Sequence, residues 1–247
     1  MASVVDHLAK IPGFMRAKKW SVGAALMDRW FTASPNSQPE SATPDTSTVR
    51  MDTWVLTFGR AREVYETMCR EKVWMNAPAQ QSLKLVLRRK RLLGPTVSPF
   101  GSLNLPGPMV HADQINFRVV GAGMHVYIDP LDDMYAALGR FAIYCVAQGR
   151  VVPLPDKNGI VKSHNVEISA AGFYVRDSYD FNGDQPLGFW NFDTGDVRKT
   201  PWFGYDEVSN KSFRDWRDKN KKGGDFYVFS DIKTVNLTPP QSFTVNE

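Results

Sequence analysis

Residues 141–176, FAIYCVAQGRVVPLPDKNGIVKSHNVEISAAGFYVR, decide the fold class of this 247-residue chain. Within them, 141–147, 151–154, 166–168 and 173–176 are short runs rich in aromatic and β-branched residues. Such side chains suit a pleated, half-buried surface, and the turn-forming residues between the runs separate them into strands. The same pattern recurs outward at 115–120, 124–128, 188–192 and 226–229. Short helices are expected at 130–139, with Asp129 or Asp132 near its start, and at 212–219. The C-terminal half is therefore β-rich from residue 114.

The N-terminal half reads differently. Val4, Leu8, Ile11 and Met15, then Trp20, Ala24, Met27 and Phe31, recur at near-helical spacing, and Pro12-Gly13 is expected to divide them. Basic residues Lys10, Arg16, Lys18, Lys19 and Arg29 occupy the polar positions. Such an arm, residues 1–32, suits a membrane or a partner groove, or packs on its own domain. Residues 33–48 are Ser/Thr/Pro-rich, which predicts a linker or an extended surface loop. A strand at 49–58 and helices at 60–74 and 77–93 follow, the last ending in Arg88-Arg89-Lys90-Arg91. That cluster suits a helix C-terminus, or a phosphate or lipid headgroup. The expected fold is α+β, with a mostly antiparallel β-sheet or open β-barrel in the C-terminal half and N-terminal helices packed on it. Residues 49–247 are expected to form a single domain.

Composition narrows the function classes. Hydrophobic residues make up 43 %, with 15 Phe, 7 Trp and 8 Tyr, enough for a packed core and against wholesale disorder. The net charge of +4 is mild. It suits anionic lipid or phosphate partners, whereas a nucleic-acid binder would carry a denser basic stripe, so no nucleic acid is expected. Cys69 and Cys145 lack metal spacing and read as free thiols, with a bridge left open. His7, His111, His125 and His164 lack zinc spacing, and no serine-hydrolase elbow, phosphate loop or dinucleotide glycine motif is present. The first residues lack the pattern of a secretory signal, so synthesis in the cytoplasm is expected, and if the protein acts outside, export by a machine that uses no cleaved signal.

The chemically loaded stretch is Arg176-Asp177-Ser178-Tyr179-Asp180-Phe181-Asn182-Gly183-Asp184, followed by Gln185. Alternation along a strand puts Asp177 and Tyr179 on one face, and a turn at Asn182-Gly183 can re-aim Asp180. Two carboxylates at a strand end can hold a hard cation such as Mg2+, or one can act as a base at a phosphate or pyrophosphate. The same residues also make an ordinary turn. Arg214 and Arg217, three apart on one helix, can clamp a phosphate, or form a surface helix anchored by Trp216. Gly223-Gly224 permits close backbone approach.

Asp177-Ser178-Tyr179-Asp180 resembles the Asp-x-Tyr-Asp core of colicin-M-like bacterial toxins. Those toxins have a mostly β, open-barrel-like catalytic domain. With magnesium they cleave the lipid-linked peptidoglycan precursor lipid II between polyprenol and pyrophosphate. The resemblance implies catalytic roles for Asp177, Tyr179 and Asp180, with Asp177 and Asp180 as metal ligands. Where the family carries a His-Arg pair this chain has Pro186 and Leu187, and no histidine follows the motif. Arg214 is then the expected catalytic arginine, with Arg217, Gln185 and Asn182 binding substrate. Residues 24–31, 137–141, 174–190 and 213–231 further resemble a proteobacterial domain family of uncharacterised function associated with type VI secretion. That implies an antibacterial effector acting in a target periplasm on a lipid-linked pyrophosphate. Its partners would be a secretion spike or adaptor and a cognate immunity protein. The alternative is a non-enzymatic adaptor, chaperone or immunity protein; a phosphodiesterase or nuclease using the same acids is a third reading.

Overall fold

The structure is a computed structural model and describes residues 3–121 and 129–246. The strand expected at 124–128 lies outside the described residues. The fold is α+β, its C-terminal half dominated by a mostly antiparallel sheet that stays open among the described residues. The chain divides into two compact, discontinuous units. The first is Met1–Val49, Gly121–Phe141 and Asp177–Val228; the second is Arg50–Val120, Ala142–Arg176 and Phe229–Glu247.

The second unit is built on a long hairpin. The runs expected as four strands are two: β3 (Phe141–Pro155) and β4 (Val161–Tyr179). They pair antiparallel, with Tyr144 opposite Tyr174 and Cys145 opposite Phe173. A register shift at Gln148/Gly149 lets one continuous strand pass through the polar residues that looked like a turn. Gly149 has no room for a side chain, since a Cβ there would lie 1.9 Å from the Glu167 carbonyl oxygen. β1 (Ser98–Phe100) and β2 (Asn116–Val120) pair with β3. β9 (Lys233–Asn246) pairs with β4 from Ser163–Asn246 to Phe173–Lys233. β9 alternates polar residues and carries Pro239-Pro240, so its sequence hides a strand.

Helices α4 (Gly59–Arg70) and α5 (Ala77–Arg89) complete this unit. Asn76 caps α5, its side chain accepting from the Ala79 N–H at 3.0 Å. Met68, Leu83 and Leu87 are buried, and Tyr65 meets the buried Phe173 edge-on at 5.2 Å. Residues 49–58, expected as a strand, are turns and a 3-10 turn at Val55–Thr57. The Met51 N–H donates to the Asp231 carboxylate at 2.7 Å instead of to a strand partner. Cys69 and Cys145 are free thiols.

In the first unit, α2 (Ile11–Ala17) and α3 (Ser21–Thr32) pack together. Pro12 sits in the first turn of α2, where its missing N–H leaves no helical bond unmade, so the helix does not break there. The break falls at Lys19, which adopts a positive φ of 63°. α3 packs on α7 (Asp133–Leu138), and the Asp133 carboxylate accepts from the Val22 and Gly23 N–H groups at 3.1 and 2.8 Å. Thus Asp132 caps its own helix through the Tyr135 N–H, and Asp133 caps its neighbour. The core centres on Trp30, which meets Phe31, Phe181 and Phe213 edge-on and Trp216 tilted. Residues 33–48 lie against this unit through single bridges, Asn36 to Gly224 and Asp45 to Val228. A small sheet ordered β6 (Val197–Arg198), β5 (Pro186–Trp190) and β7 (Asp206–Ser209) leads into α8 (Asn210–Asn220).

Candidate functional site

A cavity of about 410 Å³ opens in the first unit. The end of β4 and the following turn form one wall, with Asp177, Ser178, Tyr179, Asp180, Asn182 and Gln185 all lining it. The lining also includes apolar residues of the helices, among them Ile11, Met15, Met27 and Leu138. Trp190 and Val197 of the small sheet and Asn210 and Phe213 of α8 complete the lining. One space thus carries an apolar surface and a polar, acidic wall, a combination that suits an amphiphilic ligand.

The acidic wall is shaped by a turn. Asp180 Oδ1 accepts from the Asn182 N–H at 3.1 Å, and Gly183 takes a φ of 71°. The Asp side chain bonding its own backbone two residues on is the local reason the strand stops here. Asp177 and Asp180 are both partly exposed, so solvent and ligand can reach this wall. Tyr179 behaves otherwise. It is 7 % exposed, stacks on Phe226 at 5.3 Å and meets Phe181 edge-on. Burial, aided by the nearby Asp28 charge, pushes its phenol far above the ordinary tyrosine range, so it stays protonated at neutral pH.

The two arginines have structural employment. Arg214 donates to the Phe181 carbonyl at 2.7 Å, to the Gly183 carbonyl, and to Asp184 at 3.0 Å. It braces the turn that carries the acidic wall. Asn210 assists, its N–H donating to the Gln185 carbonyl at 3.0 Å. Arg217 is buried against Asp225, with its guanidinium 5.2 Å from the Trp30 ring. Asp225 also accepts from the Trp30 indole N–H at 2.8 Å. Gly223 and Gly224 serve the same core: a Cβ on Gly223 would lie 2.6 Å from the Trp30 ring, and the Gly224 N–H donates to the Trp30 carbonyl. The structure therefore gathers Asp177, Tyr179, Asp180, Asn182 and Gln185 on the cavity, while Arg214 and Arg217 lie off its lining.

The cavity's cation is one that spacing arguments overlooked. Arg140 lines it, is exposed, and among the described residues makes no ion pair or side-chain hydrogen bond. Gly139, which ends α7 with φ 55°, turns the chain so that Arg140 leaves the helix. The Gly-Arg step after a short apolar helix was the available signal. Tyr135 also lines the cavity, and burial raises its phenol pKa, with Asp129 adding to the shift. Among the described residues no three His, Cys, Asp or Glu side chains gather as a metal-binding group, and no helix is long and apolar enough to cross a membrane.

Fold and site together define an α+β protein with an acidic-walled, amphiphilic cavity. The chain belongs to a family described as a family of unknown function, DUF6402, whose profile matches residues 7–245. No curated protein and no solved structure matches it.

Proposed function

We propose that this protein is an antibacterial effector that hydrolyses a polyprenyl-pyrophosphate-linked peptidoglycan precursor such as lipid II. The observation that carries the reading is the cavity itself, whose lining holds Asp177 and Asp180 together with apolar side chains. A polyprenyl chain suits the apolar surface, and Arg140 supplies charge for a phosphate oxygen. One carboxylate accepts a proton from water as the water oxygen bonds to the phosphorus nearest the lipid. The bond from that phosphorus to the polyprenol oxygen breaks, the departing oxygen takes a proton from solvent water, and the carboxylic acid returns its proton to solvent. Arg214 acts as a positioning residue, by holding the turn, and Tyr179 as a neutral wall.

The donor set suits a hard divalent cation, since carboxylate and amide oxygens share the wall. Asp177 and Asp180 would hold a magnesium ion, whose chemistry is to neutralise phosphate charge. Delivery by a type VI secretion spike or adaptor and protection of the producer by an immunity protein complete this reading. The alternative, a non-enzymatic adaptor, chaperone or immunity protein, draws support from Arg214 and Arg217, whose guanidinium groups are both engaged within the fold.

The test directs the chain to the periplasm of a susceptible bacterium beside Asp177→Ala and Asp180→Ala, with folding checked by thermal unfolding. Lysis by the native chain and none by the folded variants is expected. A harmless native chain overturns the hydrolase reading, and lysis by both variants removes the carboxylates from the chemistry.

A further inference from the structure

Between β6 and β7, residues 198–205 read RKTPWFGY: two cations, three aromatic rings and no acid. Phe203 is 98 % exposed and Trp202 61 %. Two exposed neighbouring aromatics on a loop oppose the hydrophobic effect unless something covers them in use.

The loop is held in this posture. The Tyr205 N–H donates to the Trp202 carbonyl at 3.2 Å, and Asn191 donates to the Gly204 carbonyl at 3.0 Å. The Tyr205 hydroxyl donates to Asp196 at 2.7 Å. The Arg198 guanidinium lies 4.9 Å from the Trp202 ring and 5.2 Å from the Tyr205 ring. Arg198 is itself exposed and also reaches the Asp196 carboxylate at 3.7 Å, which leaves a solvent-facing cation beside the Trp-Phe end.

We infer that this loop is a membrane-interfacial anchor that inserts Trp202 and Phe203 among the headgroups of an anionic phospholipid surface. Tryptophan and phenylalanine settle at that boundary, and arginine and lysine are drawn to anionic headgroups. A protein partner fits less well. A standard interface covers about 800 Å² on each side. Two aromatic side chains bury about 150–250 Å² each. A protruding tip of this size suits insertion better than docking.

Position adds a purpose. Val197, beside Arg198 in β6, lines the cavity, as does Trp190 opposite it in β5. An anchor on this sheet would bring the cavity wall to the layer where a lipid-linked substrate resides. The purpose rests on the proposed function; the binding itself does not.

The test is co-sedimentation of the full chain with phosphatidylethanolamine–phosphatidylglycerol vesicles, which contain no pyrophosphate lipid, and with phosphatidylcholine vesicles. Preferential binding to the anionic vesicles is expected. The double variant Trp202→Ser, Phe203→Ser should partition at least tenfold more weakly with unchanged thermal unfolding, and Arg198→Gln several-fold more weakly at low salt. Asp180→Ala should bind vesicles like the native chain, so failure of the hydrolase reading and failure of the anchor are separately visible. A native chain that stays in the supernatant, or a folded double variant that binds equally well, overturns the inference.

Discussion

Asp225 and the Asp177–Asp180 pair lie in the same unit and differ in almost every physical respect. Asp225 is fully buried, accepts hydrogen bonds from Trp30 and Arg217, and is fixed beneath an aromatic core. Burial pushes its carboxyl pKa up, against the opposing pull of Trp30 and Arg217, and the neighbouring Asp180 charge adds to the rise. Its Oδ2 and the Arg217 Nε have no hydrogen-bond partner among the described residues. Asp177 and Asp180 keep solvent access on a cavity wall. The most tightly held acid organises the fold, while those on the cavity wall keep contact with water. Desolvation is costly, so an ion pair endures inside only when both partners are fixed.

That contrast can be broken by mutation. The largest stability effect is expected from Arg217→Met, which strands the Asp225 carboxylate in the core. A loss of about 3–5 kcal/mol is expected, lowering Tm by roughly 10 °C in thermal unfolding. Adding Asp225→Leu should restore much of it, because no lone charge then remains buried. Asp180→Asn is the opposite case. Its stability should stay within about 1 kcal/mol of native, while the hydrolysis proposed above drops about 100-fold or more. Equal losses of stability at Asp180 and Asp225 would erase the distinction.

Arg214→Ala sharpens the comparison from the turn that carries the acids. Losing its bonds to Phe181, Gly183 and Asp184 should destabilise by about 1–2 kcal/mol in urea unfolding. Activity should fall through disorder of the turn, without the complete loss expected for a group that contacts the reacting atoms. The smallest effect belongs to Asp45, a second buried acid. Burial pushes its carboxyl up, but hydrogen bonds from Thr48 and Ser47 and the Arg29 charge outweigh this and leave it below 3.8. A lowered folded-state pKa contributes stability above 3.8 that is lost as pH falls through the folded value. Asp225, with a raised pKa, contributes in the opposite sense: its share is present at acid pH and is lost as pH rises past its folded value. Asp45→Asn should therefore flatten the loss of stability below about pH 4, read from unfolding midpoints across pH 3–6.

Much of this architecture is legible in the chain. Aromatic and β-branched runs mark β3 and β4, because side chains that fit a pleated surface are a local property. Periodic apolar residues mark α4 and α5 for the same kind of reason. The Asp177–Gln185 stretch advertises its turn, and the turn is there. What local pattern hides is anything set by a partner far along the chain. Polar β9 is a strand because β4 offers it a ladder of hydrogen bonds. Residues 49–58 are not a strand, because Met51 is bound by Asp231, 180 residues on.

The functional residues divide along the same line. Sequence by itself set the acidic motif, the α+β class and the aromatic wealth of the core, since these depend on residue type and near-neighbour spacing. Only the tertiary structure decided that Arg214 and Arg217 are spoken for and that Arg140 lines the cavity. The partners of an arginine are chosen by burial and by carboxylates and carbonyls brought from distant residues. Spacing along a helix records which side chains share a face, but not what the fold places in front of them.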